Sequence, residues 1–171
     1  MTGDRRRMAL AIHEAAHAVV GTVFDRDVEV SRLIAGDADY AGETRFCPLE
    51  GLNLPPVVLA AGVTAQSRFV HGTWHPSRVQ LAALRHGCGR HDHAALLASG
   101  DPYVDPTPVV RRLYPAITEL AVELYHAGEA GPGHVLAALG VPRGPSGPMY
   151  LSGLRTGATS LREPHPMPSR R

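Results

Sequence analysis

His13 and His17 stand four residues apart, with Glu14 directly after the first, inside an unbroken helix-forming run from Met8 to Phe24. On a helix, positions i and i+4 lie one above the other on the same face. The two imidazoles therefore come together at a separation that one metal ion can span. Glu14 is then placed to act on a metal-activated water. This H-E-x-x-H pattern demands a long early helix whose ligand face looks into a cleft. Taking about 100° per residue, Met8, Ile12, Ala15, Val19 and Val23 form one apolar stripe. His13 and His17 lie along its edge, and Glu14 points further out. The chain holds 10 histidines, so a chance match has to be weighed. A chance pair could fall on any face of the helix, whereas this one lies at the rim of the buried stripe.

The 171 residues make one domain with a real core. A formal net charge of +1 supplies no field toward nucleic acid or anionic lipid, so neither is expected as a partner. Cys47 and Cys88 are too few for a disulfide framework and read as reduced thiols of a cytoplasmic protein. Cys47, just before Pro48, is expected to be buried. No apolar run approaches the roughly 18 uninterrupted residues of a membrane span. The basic start, Arg5-Arg6-Arg7, is followed by too broken an apolar run for a signal peptide.

Periodicity and turn chemistry predict a mainly α chain with a small two-stranded β-ribbon. The first helix runs from Asp4 to about Phe24. Val28–Leu33 and Gly42–Phe46 read as strands around a turn at Gly36–Asp39. Helices follow at Val57–His71, Pro76–Arg85, Arg90–Ala98 and Pro108–His126. Pro115 should kink or divide the last of these. A short helix at His134–Leu139 closes the domain, 1–140. The Pro/Gly/Ser/Arg-rich remainder, 141–171, is expected to be a disordered tail.

A catalytic zinc takes three protein ligands and keeps a fourth position open. The third ligand has to come from elsewhere, and His86–His93 is the densest region. Asp92, His91, His93 and Cys88 are all chemically suitable, and spacing alone does not choose among them. Asp92 has a second reading, as a carboxylate favoured in the first turn of a helix.

Several segments, in order, resemble the peptidase domain of FtsH-type ATP-dependent zinc proteases. His13-Glu14-Ala15-Ala16-His17-Ala18-Val19-Val20-Gly21 is similar to the family's H-E-A-G-H-A-V-V-G. Val28–Ser31 and Gly42-Glu43-Thr44 resemble its strand pair. Ala60–Gln66 resembles its G-G-R-A-A-E-E helix, and Gly87–Asp92 its G-A-x-x-N-D segment. The resemblance covers about Met8 to Leu139, strongly at the first motif and weakly after Asp92. It implies an FtsH-protease-like helical fold, a Zn2+ cofactor held by His13, His17 and Asp92, and a zinc-dependent endopeptidase with Glu14 as general base. Gln66 stands where the family has a glutamate near the zinc. Its amide can accept a hydrogen bond from a ligand imidazole but brings no charge.

The sequence contains no G-x-x-x-x-G-K-[ST] and no lysine at all, so no ATPase motor is expected within it. A peptide or unfolded protein is the expected substrate, with a separate ATPase or regulatory protein as a further partner. Gly42, Glu43 and Thr44 are candidates to pair with substrate backbone by strand addition. His71, His75 and Tyr40 are open as oxyanion donors, with a structural role the duller reading of each. The alternative to a protease is a weak or inactive zinc-binding pseudo-peptidase that serves as a regulatory or interaction module.

Overall fold

The computed structural model describes residues 3–36, 40–48 and 53–161. Helix α1, Gly3–Val23, is its centre, and every residue from Ala9 to Gly21 is buried. Ala9, Ala11, Ala15, Ala16 and Ala18 keep this helix thin. Two more helices therefore pack closely against it: α2 (Pro56–His71) and, after two intervening short helices, α5 (Thr107–Ala127). From α5, Leu113, Ile117, Leu120 and Leu124 are fully buried in that core. Packing on several sides also corrects the amphipathic picture of α1. Glu14 does not point outward; it is 6% exposed, covered by the sheet.

Strands β1 (Val28–Ala35) and β2 (Tyr40–Phe46) pair antiparallel, with Ser31 opposite Thr44 and Leu33 opposite Gly42. A third strand, β3 (Glu129–Ala130), adds to the other side of β1, giving the order β2-β1-β3. The expected two-stranded ribbon is thus a three-stranded antiparallel sheet. Gly128, at φ 85, ends α5 and lets the chain turn straight into the added strand. Two residues are too short a run for periodicity to register. Most of the turn expected at Gly36–Asp39 lies outside the described residues.

Helix α3 (Arg78–His86) starts on a capping box formed by Ser77 and Gln80. Helix α4 (Arg90–Ala98) follows after Gly87-Cys88-Gly89. Both lie against α2. Pro115 sits inside α5 without dividing it. Helix α6 covers Pro132–Ala138. Beyond it the expected tail is partly ordered: α7 (Gly147–Thr156) buries Tyr150 and Leu154 and packs on α1. Arg155 clamps it there, donating to the Val23 carbonyl at 2.7 Å and pairing with Asp25. Composition hid this helix because only two of its side chains enter the core. The rest of the expected tail, 162–171, lies outside the described residues. Cys47 is exposed rather than buried.

Candidate metal centre

His13 and His17 project from α1 toward α2 and α4, and both are buried. Their Nε2 atoms lie 3.1 Å apart. Asp92, in the first turn of α4, brings Oδ2 to 2.9 Å from His13 Nε2 and 3.2 Å from His17 Nε2. Among the described residues, these three side chains form the cluster with metal-binding spacing. No side-chain cap is formed at the start of α4, and Asp92 lies in its first turn, where a carboxylate is favoured, while its Oδ2 bonds both rings. His91 lines the same cleft without joining the cluster, and His93 faces a neighbouring cavity.

The Nδ1 side of each ring is fixed by an acceptor. His17 Nδ1 donates to the Val58 carbonyl at 2.9 Å, and His13 Nδ1 to Gln66 Oε1 at 3.2 Å. With Nδ1 carrying the proton, the Nε2 lone pairs of both rings face the common point. Gln66 Oε1 also accepts from the Cys88 thiol at 2.9 Å. Cys88 also lines the cleft and touches His13, so it supports the site directly as well as through Gln66. Gly62 explains how α2 comes so close: a Cβ there would lie 2.4 Å from His17 Nε2 and 2.7 Å from His13 Nε2. Only a residue without a side chain leaves that space open.

The donor set suits zinc. Two imidazole nitrogens and one carboxylate oxygen are donors that zinc accepts, three in number with room for a fourth. Their separations of 2.9, 3.1 and 3.2 Å approach the edge, about 3.3 Å, of a tetrahedron with bonds of about 2.0 Å. Protons compete for the same atoms. Burial alone would lower the pKa of His13. The Asp92 carboxylate, reinforced by Cys88 and Glu14, instead holds it well above the usual histidine value. Burial would likewise raise Asp92, but hydrogen bonds from His13 and His17 hold it well below the carboxylate range. The Cys88 thiol is lowered too: partial burial opposes this, and the contact with His13 outweighs it.

Glu14 meets the sheet. Thr44 Oγ1 donates to Glu14 Oε2 at 2.8 Å and lies 3.1 Å from the Glu14 carbonyl. Ser31 Oγ, on the facing strand, is 2.9 Å from Thr44 Oγ1. A chain of hydroxyls, Ser31 to Thr44 to Glu14, thus orients the carboxylate. Gly42 is the close approach here, since a Cβ would fall 2.3 Å from Glu14 Oε1. Glu43 instead pairs with Arg32 across the ribbon.

His13, Glu14, His17 and Asp92 line one cleft of about 200 Å³, and Gly42, Glu43 and Thr44 form its rim. His71 ends α2 and, with His75, is absent from that lining; the Tyr40 side chain lies outside the described residues. No local pattern points to Ser31 or to the Cys88–Gln66 link. Their partners are 13 and 22 residues away, and only the fold pairs them. Comparison with protein-family models, curated proteins and solved structures found no match.

Proposed function

We propose that this chain is a zinc-dependent endopeptidase, with His13, His17 and Asp92 as ligands and Glu14 as general base. The observation that carries the reading is the convergence of those four side chains on one cleft beside strand β2. Bound there, zinc would supply Lewis acidity and lower the pKa of a water from 15.7 toward about 7.

The protein's own groups account for the rest. Thr44, held by Ser31, fixes one oxygen of Glu14. The other oxygen is left to take the proton of the attacking water and return it to the leaving amine. β2 is the outer strand of the sheet, so an extended peptide can pair with its backbone next to Gly42 and Thr44. Main-chain pairing of this kind selects unfolded or peptide substrates with little sequence preference. The same design, two helical histidines and a later aspartate beside a small antiparallel ribbon, supports kinship with the FtsH-type peptidase domain. It also supports dependence on a separate ATPase or regulatory protein for folded substrates. Both cysteines are free thiols, which supports a cytoplasmic setting. Among the described residues, no helix is long and apolar enough to cross a membrane.

A second reading, a zinc-binding pseudo-peptidase, is favoured by one observation. The acceptor behind His13 is the neutral Gln66, which leaves that ligand less basic than a carboxylate would. Cleavage of a peptide library separates the two. The endopeptidase reading expects turnover that chelator abolishes and zinc restores. It also expects Glu14→Gln to retain zinc while losing at least about 100-fold in rate. Undiminished cleavage by Glu14→Gln, or a wild-type protein that holds zinc and cuts nothing, would reject it.

A further inference from the structure

The metal cleft has two banks. Strand β2, packed on α1, supplies Gly42, Glu43 and Thr44; the start of α4 and the joint before it, packed on α2, supply Cys88, His91 and Asp92. A peptide paired with β2 therefore has α4 on its other side. Hydrolysis of that peptide puts negative charge on the former carbonyl oxygen. A donor already aimed at that oxygen is worth more in the transition state than in the ground state. The ligands and Glu14 leave this demand on the protein unmet.

The other polar side chains of the cleft are already engaged. His13, His17 and Asp92 converge on one point. Glu43 pairs with Arg32, Thr44 holds Glu14, and the Cys88 thiol is turned to Gln66. His91 is the exception. It is exposed at the cleft, with no hydrogen bond or ion pair to any described residue. It directly precedes Asp92 in the first turn of α4. Successive helical side chains diverge by about 100°, so with Asp92 aimed at the two rings His91 stands beside them and not among them. An imidazole carries an N–H whether neutral or protonated, so it can donate in either charge state.

We infer that His91 is a further catalytic residue of the proposed peptidase, donating its ring N–H to the oxygen of the tetrahedral intermediate. The inference rests on the peptidase reading and adds the donor that reading lacks. The water oxygen bonds to the carbonyl carbon as the carbonyl π pair moves onto its own oxygen, where His91 meets it. Glu14 takes the water's proton. When that electron pair returns, the C–N bond breaks, its electrons stay on nitrogen, and Glu14 delivers the proton to the leaving amine. The His91 proton is shared and not transferred, so the ring ends as it began.

Kinetics and inhibitor binding test this on the full chain. His91→Ala should lose about 100-fold in kcat, as removal of one such donor does, with KM little changed and zinc content intact. That split marks an interaction made only in the transition state. His91→Gln, which keeps an N–H at similar reach, should recover part of the loss. Two inhibitors of one peptide sequence supply the second readout. A phosphonamidate is tetrahedral and carries an oxygen where the intermediate does; a hydroxamate grips the metal without a tetrahedral centre. His91→Ala should weaken the phosphonamidate by about 100-fold and leave the hydroxamate alone. Thermal unfolding checks that the variants are folded. If they are not, NMR of the wild-type protein decides: the phosphonamidate, and not the hydroxamate, should protect the His91 ring N–H from exchange. A loss confined to KM, or equal weakening of both inhibitors, overturns the inference. Zinc-dependent cleavage that His91→Ala leaves intact upholds the peptidase and rejects the donor. Phosphonamidate selectivity that vanishes with His91, in a protein that cuts no peptide, upholds the donor and rejects the peptidase.

Discussion

His13 and His17 stand on a helix buried continuously from Ala9 to Gly21, whereas Asp92 stands on one whose sole buried residue is Leu96. The preceding helix, α3, buries nothing. The two imidazoles are thus positioned by the same packing that holds the whole domain together. The carboxylate arrives on a shallow helix pair, joined at Gly87-Cys88-Gly89, that lies against α2 and reaches the two rings through Asp92. Elements with few buried contacts open locally at low free energy. The α3–α4 pair should therefore gain more order from a bound metal than α1 would.

Core truncation tests this contrast most strongly. Ile12→Ala in α1 should cost about 2–5 kcal/mol of global stability by chemical denaturation. Leu96→Ala should instead act locally, raising amide exchange in α3 and α4 with a smaller change in the global midpoint. Equal global losses from both would erase the distinction.

Metal removal comes next. A zinc concentration about 100 times Kd stabilises the state that binds it by about 2.7 kcal/mol. Chelation should surrender that protection chiefly at Arg78–Ala98, as read by hydrogen exchange. Uniform deprotection of α1 and α4 would show that the domain opens as one unit.

Gln66→Ala should weaken zinc binding by about 10- to 100-fold, because it strips the acceptor from His13 Nδ1 and the partner from Cys88. Calorimetric titration measures it. The fold should survive, since Gln66 serves the ring and not the core.

The pH dependence is the mildest lever. A ligand imidazole must be neutral, and the pKa of His13 is raised by Asp92. A proton therefore competes with metal at a higher pH than it would at an ordinary histidine. Zinc affinity should climb as pH rises through that elevated value and level off above it. Replacing Asp92 with asparagine removes the main raising contact and should move the inflection toward lower pH.

Much of this could be read along the chain. Repetition at helical spacing and proline or glycine at the ends located α1, α2, α4 and α5 to within a residue or two. Zinc chemistry at i, i+4 singled out His13, Glu14 and His17. The limits came where a residue's role depends on something far away in sequence. Glu14 could not be seen as buried, because the strand that covers it lies 30 residues on. Strand β3 and helix α7 bury too few side chains to leave a periodic trace.

Local chemistry alone thus determined the helical histidine pair, its glutamate and the glycines that punctuate the chain, because each depends on neighbours within one or two turns. Spacing left Asp92, His91, His93 and Cys88 as candidates for the third position. Tertiary packing decided among them: the seating of α4 on α2 puts Asp92 Oδ2 within 3.2 Å of both rings, sends His93 to the adjoining cavity and leaves Cys88 at the cleft wall, bonded to Gln66. That choice is a matter of where two helices 75 residues apart come to rest on α2, which no local pattern encodes.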